Sequence, residues 1–335
     1  MEKPIKFVVV GAGTIGKRHI EMIQFNPSCE LVSVVDTNEA IHKPGLPYFL
    51  SLDDYFQTGP ECDVMIIASP NGLHAVQAIR ALENGKHVII EKPMALSSIE
   101  GQNIYDSSKK HQKHVFIVMQ NRYSPTVKWL KSIIEQGILG KIYLVQINCF
   151  WNRDERYYKK NSWHGSLDLD GGSLFTQFSH FVDFLYWIFG DIHNISSIMN
   201  NYSHQELTEF EDTGIINFNF ADGGMGSLNF STAVRNENLE SNILIIAENG
   251  SIKIGGQYMD RILLGNIKDY VFPDEFKNSS SEDGKLQNLM NHAQVIENVV
   301  NVLTSNGSTD TSILEGMKVI KIIEKMYSSK KPAFN

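Results

Sequence analysis

The apolar run Ile5–Val10 breaks into Gly11-Ala12-Gly13-Thr14-Ile15-Gly16, and this junction limits the possible fold more than any other stretch of the chain. A β-branched run, three glycines at this spacing and an amphipathic pattern beyond them read as a strand, a tight turn and a helix. The first glycine permits the turn, and the second lets the backbone approach a pyrophosphate. The third lets helix pack on strand, while the helix N-terminus attracts the anion. Taken alone, the pattern also fits a simple glycine turn. The next strand decides between them, because it ends at Asp36, twenty residues beyond Gly16. A carboxylate there accepts hydrogen bonds from adenosine ribose hydroxyls and repels a 2′-phosphate. The expectation is a dinucleotide site built from Gly11, Ala12, Gly13, Thr14, Ile15, Gly16 and Asp36 that takes NAD in preference to NADP.

The 335 residues exceed one ordinary core and suit two domains. In the first third, β-branched runs alternate with amphipathic stretches, as βαβ units on a parallel sheet require. Strands are expected at Ile5–Val10, Glu30–Val35, Val64–Ser69, His87–Glu91 and Val115–Met119, and helices near Ile15–Gln24, Leu73–Asn84 and Ser98–Lys110. The last opens with Ser97-Ser98-Ile99-Glu100, a capping-box arrangement. A doubly wound sheet binds its ligand at the carboxyl ends of its strands, which singles out Ser69-Pro70-Asn71 and Glu91-Lys92-Pro93. On composition alone, either is also a turn or a capped helix start.

After about Tyr123 the pattern changes. A helix begins at Ser124-Pro125 and stops near Gly137; a long strand, Lys141–Trp151, follows, then a charged and aromatic stretch to Asp170, then one apolar helix over Leu174–Phe189. An antiparallel sheet is expected from Ile195–Asn200, Gly214–Phe220, Met225–Thr232, Asn242–Ala247, Ser251–Ile254 and Ile262–Ile267, with a turn at Glu248-Asn249-Gly250. A Ser-rich loop around Asn278–Gly284 and helices near Leu286–Thr304 and Thr311–Tyr327 close the chain. The fold class is α/β: a Rossmann domain with a doubly wound parallel sheet over residues 1–123, then a second α/β domain over 124–335.

Charge and composition exclude several classes. A net charge of -8, with lysines and arginines scattered, does not suit a phosphate backbone, so nucleic acid is not an expected partner. No apolar run approaches the roughly 18 residues a membrane span needs, so no membrane is expected either. The glycine turn accounts for the apolar start, and no targeting segment is assigned. Cys29, Cys62 and Cys149 are odd in number and far apart, which fits a reducing compartment, with the cytoplasm as default, and excludes a disulfide framework or a Cys-rich zinc site.

Together these residues resemble the glucose–fructose oxidoreductase, inositol dehydrogenase and MocA-like family, Gfo/Idh/MocA. The likeness rests on Gly11–Gly16, Ala68-Ser69-Pro70-Asn71 with His74, Gly85–Pro93, Gln120-Asn121-Arg122-Tyr123, and Gly171-Gly172 with His180 and Asp183. It implies that the second domain carries a large, open, mostly antiparallel sheet used for substrate binding and assembly, and that the protein is a homodimer or homotetramer. It also implies a nicotinamide cofactor and a sugar-like small-molecule substrate. Ser69, Pro70, Asn71, His74, Glu91, Lys92, Pro93 and Asn121 join the cofactor site. Lys92, preceding a candidate cis bond to Pro93, points at the reacting carbon, and His180 lies across the substrate from it. Many members carry an Asp four residues before this histidine, where this chain has Thr176.

Oxidation of a secondary alcohol needs a base for the hydroxyl proton while hydride leaves, and a histidine suits that role near neutral pH. His180 is therefore assigned as general acid/base, with Lys92 hydrogen-bonding the same oxygen and Thr176 completing the catalytic set. Read without the resemblance, His180 between Phe178 and Phe181 is a packed core histidine. Arg122, Tyr123, Trp163 and His164 are candidate substrate contacts, with Lys92, Thr176 and His180. The stretch Trp151–Trp163, with Arg153, Arg156, Lys159 and Lys160, suits a diphosphate or carboxylate, and equally a solvated loop. Tyr-x-x-x-Lys pairs at Tyr105–Lys109 and Tyr327–Lys331 fall in the wrong places for a short-chain dehydrogenase. The missing Asp, the cationic loop and an overall resemblance to enzymes of surface-polysaccharide biosynthesis favour a nucleotide-linked amino sugar or uronic acid. The alternatives are a dehydrogenase of free inositols or monosaccharides and an inactive NAD-binding sensor or scaffold.

Overall fold

A computed structural model describes residues 3–41, 45–159, 163–276, 281–305 and 307–331. The chain forms two compact units, Met1–Met119 with His292–Ile320, and Gln120–Asn291 with Lys321–Asn335.

The first unit contains β1 (Ile5–Val10), α1 (Thr14–Phe25), β2 (Cys29–Val35), β3 (Tyr48–Phe49), α2 (Leu52–Thr58), β4 (Val64–Ile67), α3 (His74–Glu83), β5 (His87–Ile90), α4 (Ser98–His111) and β6 (Val115–Ile117). The strands form a six-stranded sheet in the order β3-β2-β1-β4-β5-β6, and every pair is parallel. That is the doubly wound order, whose switch point falls between β1 and β4. Residues of β1, β4 and β5 are buried on both faces, as a sheet covered by helices on each side requires. The capping box of α4 is formed: the Glu100 amide donates to Ser97 Oγ at 3.2 Å, and the Ser97 amide donates to Glu100 Oε2 at 3.0 Å. Short β3 and α2 were not expected, because neither carries enough periodic apolar residues to stand out.

The second unit begins with α5 (Pro125–Glu135) and β7 (Ile142–Phe150), followed by α6 (Glu155–Tyr158), α7 (Ser173–Thr176) and α8 (Ser179–Phe189). The strands β8 (Ile192–Asn200), β9 (Thr213–Phe220), β10 (Met225–Ser231), β11 (Glu240–Ala247), β12 (Gly250–Gly255) and β13 (Arg261–Ile267) come next. Helices α9 (Ser281–Ser305) and α10 (Ile313–Ser328) and the short β14 (Lys330–Lys331) end the chain. The loop expected around Asn278–Gly284 lies partly outside the described residues, and its last part, from Ser281, is already helix α9.

Eight strands form one sheet in the order β13-β12-β11-β7-β10-β9-β8-β14. It is largely antiparallel, with β7 and β10 parallel and β14 parallel to β8. Burial alternates along β9 and β10, so one face packs and the other carries Ile215 and Met225 at 50% and 57% exposure.

The single apolar helix expected over Leu174–Phe189 is in fact α7 and α8. The amides of Gln177 and Phe178 both donate to the Ser173 carbonyl, at 3.0 and 3.1 Å, which ends the first helix. Phe178 thereby turns inward, fully buried 5.1 Å from the Phe230 ring and 5.2 Å from Trp151. Filling that space with a large ring outweighs one more turn of regular helix.

Candidate functional site

At the switch point the backbone geometry demands glycine. Gly11 adopts φ +87°, and a Cβ there would lie 2.6 Å from the Ala68 carbonyl oxygen, so the ends of β1 and β4 approach as closely as backbones allow. A Cβ on Gly16 would fall 1.8 Å from the Gly11 carbonyl oxygen. Gly13 faces open space, with nothing within 4 Å of its ideal Cβ, and it begins α1 without any side-chain cap. The leading amides of α1 at Thr14, Ile15 and Gly16 are therefore left for an anion.

Asp36 follows the end of β2. Its Oδ2 accepts the Ala12 amide at 2.7 Å and its Oδ1 accepts the Asn38 amide at 2.9 Å. A carboxylate offers about four acceptor positions, so two remain for ribose hydroxyls. An uncapped helix start, an open glycine and a carboxylate fixed beside the turn fit the dinucleotide expected from the sequence.

The turn after β5 holds Lys92, half-buried, joined to Pro93 by a cis bond. Glu91 beneath it is 6% exposed; its Oε2 accepts the Lys92 amide at 3.1 Å, and its Oε1 pairs with His19 Nε2 at 2.8 Å. Burial alone would raise the Glu91 carboxyl, but the His19 hydrogen bond and the nearby charges of His19, His292 and Lys92 outweigh it and hold it at about 2. The His292 ring meets His19 edge-on at 6.2 Å. Glu91, expected as a cofactor residue, is seen here as the buried support of the Lys92 backbone.

His74, at the start of α3, is 1% exposed. Its Nδ1 lies 2.8 Å from the Pro93 carbonyl and its Nε2 2.9 Å from the Ser69 carbonyl, so this ring ties together the turns after β4 and β5. Burial lowers its pKa. Ser69 donates its hydroxyl to Gln77 Oε1 at 2.6 Å, Pro70 leads into a short 3-10 turn, and Asn71 is buried within it.

In the second unit, His180 sits in the first turn of α8 at 7% exposure, with Thr176 at 8% on α7. The Gln120 amide nitrogen donates to His180 Nε2 at 3.3 Å. The Gln120 Oε1 is buried without a hydrogen-bond partner among the described residues. A turn of that amide exchanges donor for acceptor, so Gln120 can serve a neutral Nε2 or a protonated one. Asn121 and Tyr123 share its 3-10 turn and are half-buried.

Arg122 is 4% exposed and forks onto Asp183, with Nε donating to Oδ2 at 2.9 Å and Nη2 to Oδ1 at 2.6 Å. Its guanidinium also lies 5.2 Å from the Trp187 ring. This pair fastens the segment before α5 to α8, which carries His180.

Trp163 and His164 lie together. His164 stacks on Tyr157 at 4.3 Å with an interplanar angle of 5°, its Nδ1 donates to the Tyr157 carbonyl at 3.0 Å, and Trp163 packs edge-on at 4.1 Å. Lys160 lies outside the described residues.

Sequence reasoning assigned no site role to His19, His292 or Gln120. His19 carried a signal: it stands three residues after Gly16, on the buried stripe of α1 with Met22 and Ile23. Gln120 opens the Gln120-Asn121-Arg122-Tyr123 motif, and His292 has no local signal.

Two family models match the chain: the oxidoreductase family with an NAD-binding Rossmann fold over residues 5–119, and the GFO/IDH/MocA C-terminal domain over residues 127–253. The chain is 32% identical to the WlbA dehydrogenase from Bordetella pertussis, solved in complex with NADH and UDP-GlcNAcA. The match covers 98% of this chain and 96% of that one, with a TM-score of 0.89. The chain belongs to the Gfo/Idh/MocA oxidoreductase family.

A second WlbA structure, from Chromobacterium violaceum, also with NADH and UDP-GlcNAcA, is 30% identical, with a TM-score of 0.86 over 98% of this chain and 94% of that one. A glucose-6-phosphate 3-dehydrogenase of Bacillus subtilis is 29% identical over 55% of this chain and 53% of its own length. This Gfo/Idh/MocA chain is accordingly an NAD-dependent dehydrogenase of CH–OH groups, with an NAD-binding Rossmann domain.

Proposed function

We propose that the protein oxidises a secondary alcohol of a nucleotide-linked amino sugar or uronic acid in surface-polysaccharide biosynthesis. The observation that carries this reading is the likeness to two WlbA dehydrogenases bound to NADH and UDP-GlcNAcA, at 32% and 30% identity over nearly the whole of each chain. Thr176, in place of the Asp common in the family, supports it further.

Bound NAD supplies the hydride acceptor. His180 takes the hydroxyl proton, and Gln120 serves its Nε2 before and after that transfer. Lys92 donates a hydrogen bond to the reacting oxygen as negative charge grows there. Glu91 fixes the Lys92 amide from below, and Thr176 offers a neutral hydrogen bond to the sugar. Tyr123, Trp163 and His164 form contact surface for the substrate, and Arg122 positions α8 through Asp183. Among cofactor residues, Gly11–Gly16 hold the pyrophosphate, Asp36 the ribose, and Ser69, Pro70, Asn71, His74, Pro93 and Asn121 the nicotinamide half, directly or by holding its turns. We place the reaction in the cytoplasm, where three free cysteines are stable, and in a homodimer or homotetramer paired through the open face of the eight-stranded sheet.

A panel of substrates tests the reading. Nucleotide-linked uronic acids and amino sugars should reduce NAD with kcat/KM at least tenfold above free inositols and hexoses. Efficient turnover of the free sugars with no binding of the nucleotide-linked ones would replace it with the monosaccharide reading. NAD binding with no turnover of either group would leave a sensor.

A further inference from the structure

The segment leaving β7 carries a guanidinium with no counter-charge among the described residues. The Arg153 amide donates to the Thr232 carbonyl at 2.9 Å, just beyond the end of β10, which fixes its backbone. Its side chain is half-buried between two rings, with the guanidinium carbon 4.9 Å from the Trp151 centroid and 5.2 Å from that of Tyr157. Nε donates to Gln177 Oε1 at 2.7 Å, and Nη1 donates to the Asn152 carbonyl at 2.6 Å and Asn238 Oδ1 at 3.3 Å. All three acceptors are neutral.

The neighbouring cations differ. Arg156 pairs with Asp154 at 2.6 Å, and Lys159 pairs with Glu155 at 2.9 Å. Arg122, the buried arginine of the same unit, is neutralised by Asp183. Among the described residues no carboxylate pairs with Arg153, and its Nη2 has no hydrogen-bond partner. Burial accordingly lowers its pKa, the mark of a charge removed from water without compensation. Its anchor Gln177 separates α7 from α8, next to Thr176 and three residues before His180, so the free edge of the guanidinium is tied to the segment bearing the proposed base.

We infer that Arg153 is the anion-recognition residue of this site, using its free edge to bind a carboxylate or phosphate of the substrate. The aromatic faces and neutral acceptors hold the fork, while its unpaired charge is satisfied only when an anionic substrate arrives. This rests on the proposed nucleotide-linked substrate. The anion is either the uronic carboxylate or the diphosphate.

The test compares wild type, Arg153→Gln and Arg153→Lys on four substrates: a nucleotide-linked uronic acid, its neutral-sugar counterpart, the free uronic acid and the free neutral sugar. Arg153→Gln should raise KM for the nucleotide-linked uronic acid roughly 10- to 100-fold with little change in kcat, the usual effect of losing a charge-assisted hydrogen bond. Arg153→Lys should recover part of it. If the carboxylate is the target, the rise is confined to the two uronic acids. If the diphosphate is the target, it is shared by both nucleotide-linked sugars and absent from the free ones. An equal change on all four substrates, or none, overturns the inference. A wild type that rejects both nucleotide-linked sugars overturns the proposed function instead, and the free uronic acid against the free neutral sugar then still decides the role of Arg153.

Discussion

Removal of the His19 imidazole leaves the Glu91 carboxylate buried and takes away the hydrogen bond that does most to offset that burial. His19→Ala should therefore cost about 3–5 kcal/mol, as for a buried pair robbed of one partner, measured by urea unfolding at neutral pH. The sign with pH follows from the depressed carboxyl. Glu91 contributes stability that is fully present above its ordinary pKa and is lost as pH falls toward about 2. In His19→Ala burial acts unopposed by that bond, the carboxyl titrates higher, and acid unfolding should begin at a higher pH. An unchanged acid midpoint would show that the pair does not hold Glu91. At this scale the sequence is legible where one residue's chemistry has few alternatives: Asp36 at a strand end, glycines at a turn, and a proline that takes a cis bond after Lys92. It is not legible where the partner comes from afar, as His292 comes to His19 and Gln120 to His180.

The close approach of β1, α1 and β4 makes Gly11 and Gly16 intolerant of a side chain. Gly16→Ala places a methyl on the Gly11 carbonyl, and the backbone itself must move. We expect a loss of at least about 1–3 kcal/mol and a weakening of NAD binding greater than that of a surface alanine on α1, read by thermal melting and fluorescence titration. Ordinary NAD affinity in a folded Gly16→Ala protein would contradict the geometry. Long elements with clear periods, such as β1, α4 and strands β7 to β13 of the second sheet, follow from pattern, whereas the two-residue β14 does not. The break between α7 and α8 does not, because Gln177 and Phe178 are acceptable in a helix. Only the space beside Phe230 and Trp151, made by other strands, draws Phe178 out of line.

For the whole molecule, the eight-stranded sheet leaves one face with apolar side chains in water, among them Ile215, Met225 and Ile246 at 50%, 57% and 39% exposure. Such a face on a broad sheet suits self-association. Sedimentation should give a dimer or tetramer of the 37.8 kDa chain, and Ile215→Lys with Ile246→Lys should yield folded monomers. A monomeric wild type would reject this assembly. Two units and their fold types are written in the change from alternating βαβ pattern to consecutive strands. The packing of His292–Ile320 with the first unit is not, since an amphipathic helix records that it has a buried face and not which sheet covers it.

In the proposed reaction Lys92 and His180 handle the reacting oxygen and its proton. Single-turnover reduction of bound NAD by a nucleotide-linked uronic acid, followed by NADH absorbance in wild type, Lys92→Ala and His180→Ala, tests this directly. Each variant should lose roughly 10²- to 10⁴-fold in rate while binding NAD normally. Near wild-type rates in either variant, with cofactor and substrate bound, would contradict it.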